Sequence, residues 1–176
     1  TDSAATWHTH CLDVANLPLD NHTHNTADKH LIIIAGVGGD LMAQLVRSIR
    51  QNNQVTQIDF LLCPVHHQFT IRQQLIELTG QLIDEVLVED NQRFYEILLV
   101  SVALDNEDTR GNISPVGDLI WQADTTAQKN VVAYYLQKTL SHLHRTQLSN
   151  NVSTGNNVSS GHKKVQLIIE AYQSVT

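Results

Sequence analysis

Only two cysteines, Cys11 and Cys63, occur in 176 residues. They are too few and too far apart for a disulfide framework or a zinc ribbon. Reduced thiols and a cytoplasmic setting are therefore expected. No apolar run approaches the roughly 20 residues that cross a bilayer, so no membrane role is expected. Basic residues are in deficit: 11 Lys and Arg stand against 18 Asp and Glu, a net charge of −7. That balance argues against nonspecific nucleic-acid binding by bulk charge, though not against a local basic patch. The N-terminus has no signal-peptide pattern and no initiator Met, and it reads as the middle of a longer protein. Internal repeats are absent as well.

Histidine, by contrast, is frequent, with ten in the chain. His8, His10, His22, His24 and His30 fall in or beside the polar first 29 residues. Two His-x-His pairs invite a metal reading, but no His-Glu-x-x-His helix or carboxylate cluster accompanies them. Solvated loop histidines are expected and no metal is assigned.

The chain is 41% hydrophobic and long enough for one domain with a proper core plus an appendage. A short strand is expected near residues 7–12, ending at Asp13. The organising stretch is His30-Leu31-Ile32-Ile33-Ile34-Ala35-Gly36-Val37-Gly38-Gly39-Asp40-Leu41. Its apolar, β-branched run reads as a strand buried on both faces, as in parallel sheets with helices on each side. Asp40 is placed to cap a helix whose Leu41, Leu45, Val46 and Ile49 share a face. Strand, glycine turn and helix together put a ligand at the carboxyl edge of an open α/β sheet.

Three readings of the turn compete. Dinucleotide binding needs Gly-x-Gly-x-x-Gly, yet Leu41 stands where the third glycine belongs. Asp59 opens its strand instead of closing it, and no Gly-Lys-Ser/Thr follows. The glycines then either merely turn the chain or keep side chains away from a substrate base and a methyl donor.

Further on, residues 57–64 read as a second buried strand closed by Pro64, with His66 and His67 in the loop. Residues 69–78 have helical spacing and stop at Gly80. Residues 81–89 and 94–102 read as a hairpin turning at residues 90–93. The order is strand, helix, strand, helix, strand, hairpin strand. A polar loop covers residues 105–112. A long helix then runs from residue 126 to about 148. The Asn/Ser/Gly-rich residues 149–161 form a flexible connection, and a second helix begins at Lys163. These helices are expected to form an antiparallel hairpin. Tyr135, Leu136, Leu140 and Leu143 would pack against Val165, Ile168, Ile169 and Tyr172.

Several segments resemble the bacterial tRNA adenine-N1 methyltransferases of the TrmK family. Ile34-Ala35-Gly36-Val37-Gly38-Gly39 resembles that family's I-A-G-M-G-G. Leu61-Leu62-Cys63-Pro64 with Ile71-Arg72-Gln73-Gln74-Leu75 is similar to its L-x-x-P strand end and L-R-x-x-L helix. Asp84-Glu85-Val86-Leu87-Val88-Glu89 and Arg93-Phe94-Tyr95-Glu96-Ile97-Leu98 resemble its hairpin, in which Tyr95 and Glu96 would either meet the substrate or serve sheet packing and an internal salt bridge. Ser114-Pro115-Val116-Gly117-Asp118-Leu119-Ile120 and Tyr135-Leu136 resemble its linker and C-terminal helices. The resemblance covers roughly residues 10–145.

The resemblance implies an α/β, Rossmann-like class I methyltransferase sheet, incomplete because the N-terminal strands and their donor-binding glycine loop and ribose acid are missing, with a C-terminal helical hairpin. Residues 1–112 would be the C-terminal part of the methyltransferase domain and residues 113–176 the hairpin. The implied activity of the intact protein is methyl transfer from S-adenosylmethionine to N1 of an adenine in tRNA, with this chain inactive alone. Asp13, Ala35 and Gly36 would bind the cofactor. Gly38, Gly39, Asp40 and His66 would face the reacting base. Cys63-Pro64-Val65 stands where the family has Gln-Pro-Asn, so His66 or His67 would replace the lost amide.

N1 of adenine already holds an in-plane lone pair, so the work is alignment and an acceptor for the amino group. An adenine inside folded RNA must be extruded. Lys138, Arg145, Lys163 and Lys164, with Lys129, would meet phosphates from the hairpin's outer face. The competing expectation is a non-catalytic RNA-docking or oligomerisation module on the same scaffold. Homodimerisation is left open.

Overall fold

A computed structural model describes residues 8–19, 29–54, 57–102, 111–154 and 160–175, with backbone only at 150–154 and 160. Its strands are β1 (Lys29–Ala35), β2 (Gln57–Cys63), β3 (Gln81–Asp90), β4 (Arg93–Val102) and the two-residue β5 (Gly111–Asn112). The helices are α1 (Gly39–Asn52), α2 (Gln68–Glu77), α3 (Thr126–Thr154) and α4 (Ser160–Gln173). The expected strand–helix–strand–helix–hairpin order is thus the observed one. Trp7, His22, His24 and most of the loop expected at residues 105–112 lie outside the described residues.

One mixed sheet runs in the order β1-β2-β4-β3-β5. β1 and β2 are parallel, from Lys29↔Gln57 to Ala35↔Cys63. β4 pairs antiparallel with both β2 and β3. The β3–β4 turn uses only Asn91 and Gln92, both with positive φ, as a tight hairpin whose twist matches its strands requires. Leu62 lies opposite Leu98 in the sheet. β4 therefore reaches five residues beyond that pair to Arg93, and β2 only one, to Cys63, so β4 overhangs the end of β2 by about 13 Å.

The core lies on one face. Ile34, Ile58, Phe60, Leu62, Leu98 and Val100 pack beneath Met42, Val46 and Ile49 of α1 and Ile71 and Leu75 of α2. On the opposite face Leu31 is 58% exposed and Ile33 63%. This corrects the reading of β1 as a strand buried on both sides. Its apolar run is continuous, but among the described residues β1 is an edge strand with helices over one face only. Leu41, placed on the buried face of α1, is 48% exposed, while Met42 takes the core position.

Local chemistry explains the element ends. α1 has Gly38 as its N-cap, with no side-chain cap bond. Asp40 therefore sits inside the first turn and is not the cap that was expected. α2 closes with Thr79 in the left-handed region, and the Gly80 N–H donates to the Leu75 carbonyl at 2.8 Å. This is the Schellman pairing, with threonine in the position glycine usually takes. α3 opens with a capping box: the Gln128 N–H donates to Thr125 Oγ1, and the Thr125 N–H donates to Gln128 Oε1, each at 3.2 Å. Residues 8–12 form no strand. Asp13 instead caps a 3-10 turn, Val14–Asn16, by accepting from the Ala15 N–H. α3 runs on through half of the segment expected to be a flexible connection.

The two long helices pair as expected, with Ile169 and Tyr172 of α4 and Tyr135 of α3 buried. Trp121 stacks on Tyr135 at 5.8 Å between ring centroids and meets Tyr172 edge-on at 6.2 Å. The orientation of this pair is set by a buried cluster that sequence reasoning assigned only in part. Arg72 Nη2 lies 2.7 Å from Glu85 and 2.8 Å from Glu96, and all three side chains are inaccessible. Glu85 accepts from the backbone N–H groups of Asp118 and Leu119 at 2.5 and 2.6 Å. Arg72 also donates to the Ser114 carbonyl at 3.3 Å, and the Tyr135 hydroxyl donates to Glu96. One guanidinium thereby joins α2, both hairpin strands, the linker and α3. Burial opposes its charge, but Glu96 and Glu85 outweigh that cost and hold the group protonated.

Candidate functional site

The carboxyl ends of β1 and β2 carry two loops that lock together. The Val65 N–H donates to the Val37 carbonyl at 3.0 Å and the Gly39 N–H to the His66 carbonyl at 2.8 Å. The approach explains two glycines. A Cβ on Gly38 would lie 2.2 Å from the His66 ring, and one on Gly39 would lie 2.2 Å from the His67 carbonyl oxygen. The space these glycines leave is thus filled by the neighbouring loop. Gly36 differs: its φ is +78°, and a Cβ there would meet nothing within 4 Å.

The same loop holds His67 in the left-handed conformation, φ 58°, which non-glycine residues seldom adopt. Its Nδ1 is bonded to Asp40 Oδ2. The hydrogen bond from His67 is the main cause holding the Asp40 carboxyl below its ordinary range. Partial burial opposes it, and Thr70 and the charge of Lys164 add to the lowering. In the neutral tautomer whose Nδ1–H donates to Asp40, Nε2 carries the lone pair and can accept a hydrogen bond. His66 packs edge-on against His67, 4.5 Å between centroids.

Beyond these loops lies a cleft of about 1160 Å³. Its floor is Asp40, His66 and His67, one wall is the start of β4, and the other is the α3–α4 pair. Arg93, Lys138, Arg145 and Lys164 line it, a cationic concentration within a chain of net charge −7. A cleft focuses such a field and attracts a polyanion despite the overall sign.

The structure brings together Gly38, Gly39, Asp40 and His66 with Lys138, Arg145 and Lys164. The three cations face inward across the cleft, not from the outer face of the helical pair as expected. Lys163 is exposed and does not line the cleft. Asp13 is not joined to Ala35 and Gly36. Its turn is tied to the far end of α1, where Asn52 donates to the Ala15 carbonyl at 2.8 Å and Asn53 to that of Leu17 at 2.7 Å. The 14 residues of α1 span about 20 Å between that end and the glycine turn. The exposed His8 and His10 stay apart from the cleft lining.

Sequence reasoning left Arg72 and Glu85 without a role and treated Glu96 as either a substrate group or an internal salt bridge. It is the latter. A signal was present: period-2 alternation puts Glu96 on the face of Leu98 and Val100, and helical spacing puts Arg72 beside Leu75. Opposite charges in core positions must meet.

Residues 7–98 match the methyltransferase-domain family. The tRNA (adenine(22)-N(1))-methyltransferase of Bacillus subtilis is 31% identical over 116 residues, which are 66% of this chain and 47% of that protein. The chain thus spans about half the length of that curated relative. The crystal structure of the B. subtilis m1A22 tRNA methyltransferase TrmK superposes with a TM-score of 0.55 at 21% identity, covering 82% of this chain and 62% of that one. A Streptococcus pneumoniae protein, a putative tRNA (m1A22) methyltransferase in complex with S-adenosyl-L-methionine, superposes with a TM-score of 0.54 at 19% identity, covering 82% and 59%. These structural likenesses establish a shared fold.

Proposed function

We propose, since the chain belongs to the methyltransferase-domain family, that it carries the RNA-facing part of an S-adenosylmethionine-dependent enzyme acting on N1 of an adenine in tRNA. The observation that carries this reading is the cationic cleft at the carboxyl edge of β1 and β2, with the oriented His67 on its floor. S-adenosylmethionine, when bound, supplies an electrophilic methyl group on sulfur. Open space at Gly36 fits one side of such a group, so Ala35 and Gly36 are the residues that would touch it. The described residues offer no second side, and Asp13 stands away from the turn.

The chain's own residues do the aligning. N1 carries no proton at neutral pH, so no base need remove one. His67 accepts a hydrogen bond at Nε2 from the exocyclic amino group, whose N–H becomes more acidic as positive charge spreads over the ring. Asp40 fixes the imidazole through Nδ1, so the acceptor is pre-oriented. His66 packs on Gly38 and holds the loop instead of meeting the base. Arg93, Lys138, Arg145 and Lys164 take phosphates along the cleft. A second reading, a non-catalytic RNA-docking module, rests on the cationic cleft alone. Localisation in the cytoplasm accords with a tRNA substrate, and among the described residues no helix is long and apolar enough to cross a membrane.

The test is mass spectrometry of tRNA nucleosides after incubation with S-adenosylmethionine and the protein as its gene encodes it. N1-methyladenosine is expected, with His67→Ala lowering its formation about 100-fold and leaving tRNA binding within twofold. Tight tRNA binding with no N1-methyladenosine formed would overturn the enzymatic reading in favour of the docking module.

A further inference from the structure

At the rim of the cleft, outside the floor, an aromatic and cationic cluster joins the hairpin tip to α3. Phe94 meets Tyr134 edge-on, 5.5 Å between centroids at 69°. Lys138 Nζ lies 5.3 Å from the Phe94 ring centroid and 6.0 Å from that of Tyr134. It also donates to the Gln92 carbonyl at 3.1 Å. Tyr134 is 51% exposed. Its neighbour Tyr135 turns inward to Glu96, so the adjacent tyrosines have opposite destinations. Packing accounts for Phe94 and Tyr135, which are half-buried and buried. It does not account for a tyrosine ring left half in water beside a fixed ammonium.

An exposed aromatic ring flanked by cations is the arrangement that takes single-stranded nucleic acid: bases stack on the ring and phosphates meet the cations. We propose that Tyr134, with Lys138, forms a stacking subsite for an unpaired nucleotide of the RNA, distinct from the pocket for the modified base. Phe94 braces the Tyr134 ring from behind through its edge-on contact. Lys138 is held by the hairpin carbonyl and both rings, so its ammonium is positioned before the phosphate arrives. The inference rests on the RNA reading of the cleft and adds to it a preference for unpaired strands. An adenine extruded from folded RNA leaves unstacked neighbours, and such a neighbour is the natural occupant.

The test uses the full chain and a fluorescein-labelled ten-nucleotide oligoadenylate, with an RNA duplex of equal length for comparison, by anisotropy at several salt concentrations. The single strand is expected to bind more tightly than the duplex. Tyr134→Phe should bind like the wild type, and Tyr134→Leu about tenfold more weakly with an unchanged salt slope. Lys138→Met should lower the slope by about 0.7, the value for one phosphate on a single strand. Equal affinity for wild type and Tyr134→Leu, or a preference for the duplex, overturns the proposal. Should Tyr134→Leu melt lower than wild type, Tyr134→Trp decides: binding as tight as wild type supports stacking, and weaker binding overturns it. Because only binding is read, loss of methyl transfer would sink the enzymatic reading and leave this subsite standing, and the reverse holds too.

Discussion

Replacing Arg72 with Met removes the cation from the centre of the buried cluster. The side chain is inaccessible, and Met fills its path only as far as Nε, leaving the guanidinium carbon and its two terminal nitrogens unreplaced. The larger change is electrostatic. Glu96 loses Arg72 Nε at 2.9 Å and Nη2 at 2.8 Å and keeps the Tyr135 hydroxyl. Glu85 loses its 2.7 Å contact and keeps the Asp118 and Leu119 N–H groups. Two carboxylates then share a dry interior with no counter-charge. Breaking a buried pair from one side costs about 3–5 kcal/mol, a large share of the roughly 5–15 kcal/mol that holds a domain folded. For a chain of this size each kcal/mol moves the midpoint by about 2–4 °C, so Tm should fall by about 6–20 °C. Calorimetry measures this directly. Near-UV circular dichroism should change as well, because Trp121 stacks on Tyr135 beside the cluster. Glu96→Gln, which keeps hydrogen-bonding capacity, should cost less than half as much. A Tm within 2 °C of wild type for Arg72→Met would refute the view that this ion cluster fixes α3 against the sheet.

Two more outcomes follow from the same geometry. Gly39→Ala should destabilise by about 1–3 kcal/mol, the usual cost of overpacking, because the new methyl would meet the His67 carbonyl oxygen, a backbone atom; chemical denaturation that finds it as stable as wild type would show that the two loops can part cheaply. Among the four tyrosines, Tyr135 and Tyr172 have hydroxyls pushed up by burial and then by the charge of Glu96, the latter partly offset by Arg72. A folded pKa above the unfolded value of about 10 means that their contribution is complete below pH 10 and is lost as pH rises through the folded pKa. Spectrophotometric titration at 295 nm should therefore show two tyrosines ionising only as the near-UV signal collapses, and four ionising together without unfolding would contradict the burial.

Much of this fold is written in local patterns. The β-branched run before Gly36, the helical spacing around Leu75, the alternation through β4 and the Thr125–Gln128 box each act over a few residues, so they can be read without tertiary information. β1 was misjudged because an apolar run reports that a strand can be buried, not what lies over it. A cap depends on backbone angles, which the residue type at Asp40 does not reveal, and Gly38 holds them two residues earlier. The cleft was half legible. The cations of α3 and α4 were identified, but which side of the helices faces the sheet is decided by the Arg72 cluster, built from residues 72, 85 and 96. The His67–Asp40 pair joins residues 27 apart in sequence, and no spacing rule announces it.

The interlocked loops after β1 and β2 also constrain how the cleft can move. Two loops that follow neighbouring parallel strands ordinarily fluctuate on their own nanosecond schedules. Here a pair of backbone hydrogen bonds and two glycine-width contacts make them one stiff slab. Breathing of the cleft therefore belongs to the parts farthest from the floor and from the Arg72 cluster: the hairpin tip that overhangs the end of β2, and the far ends of the long helices. A ligand arriving from solution would find a fixed floor and more yielding walls. The geometry at His67 is set before binding, while the fit around the rest of the ligand is made afterwards.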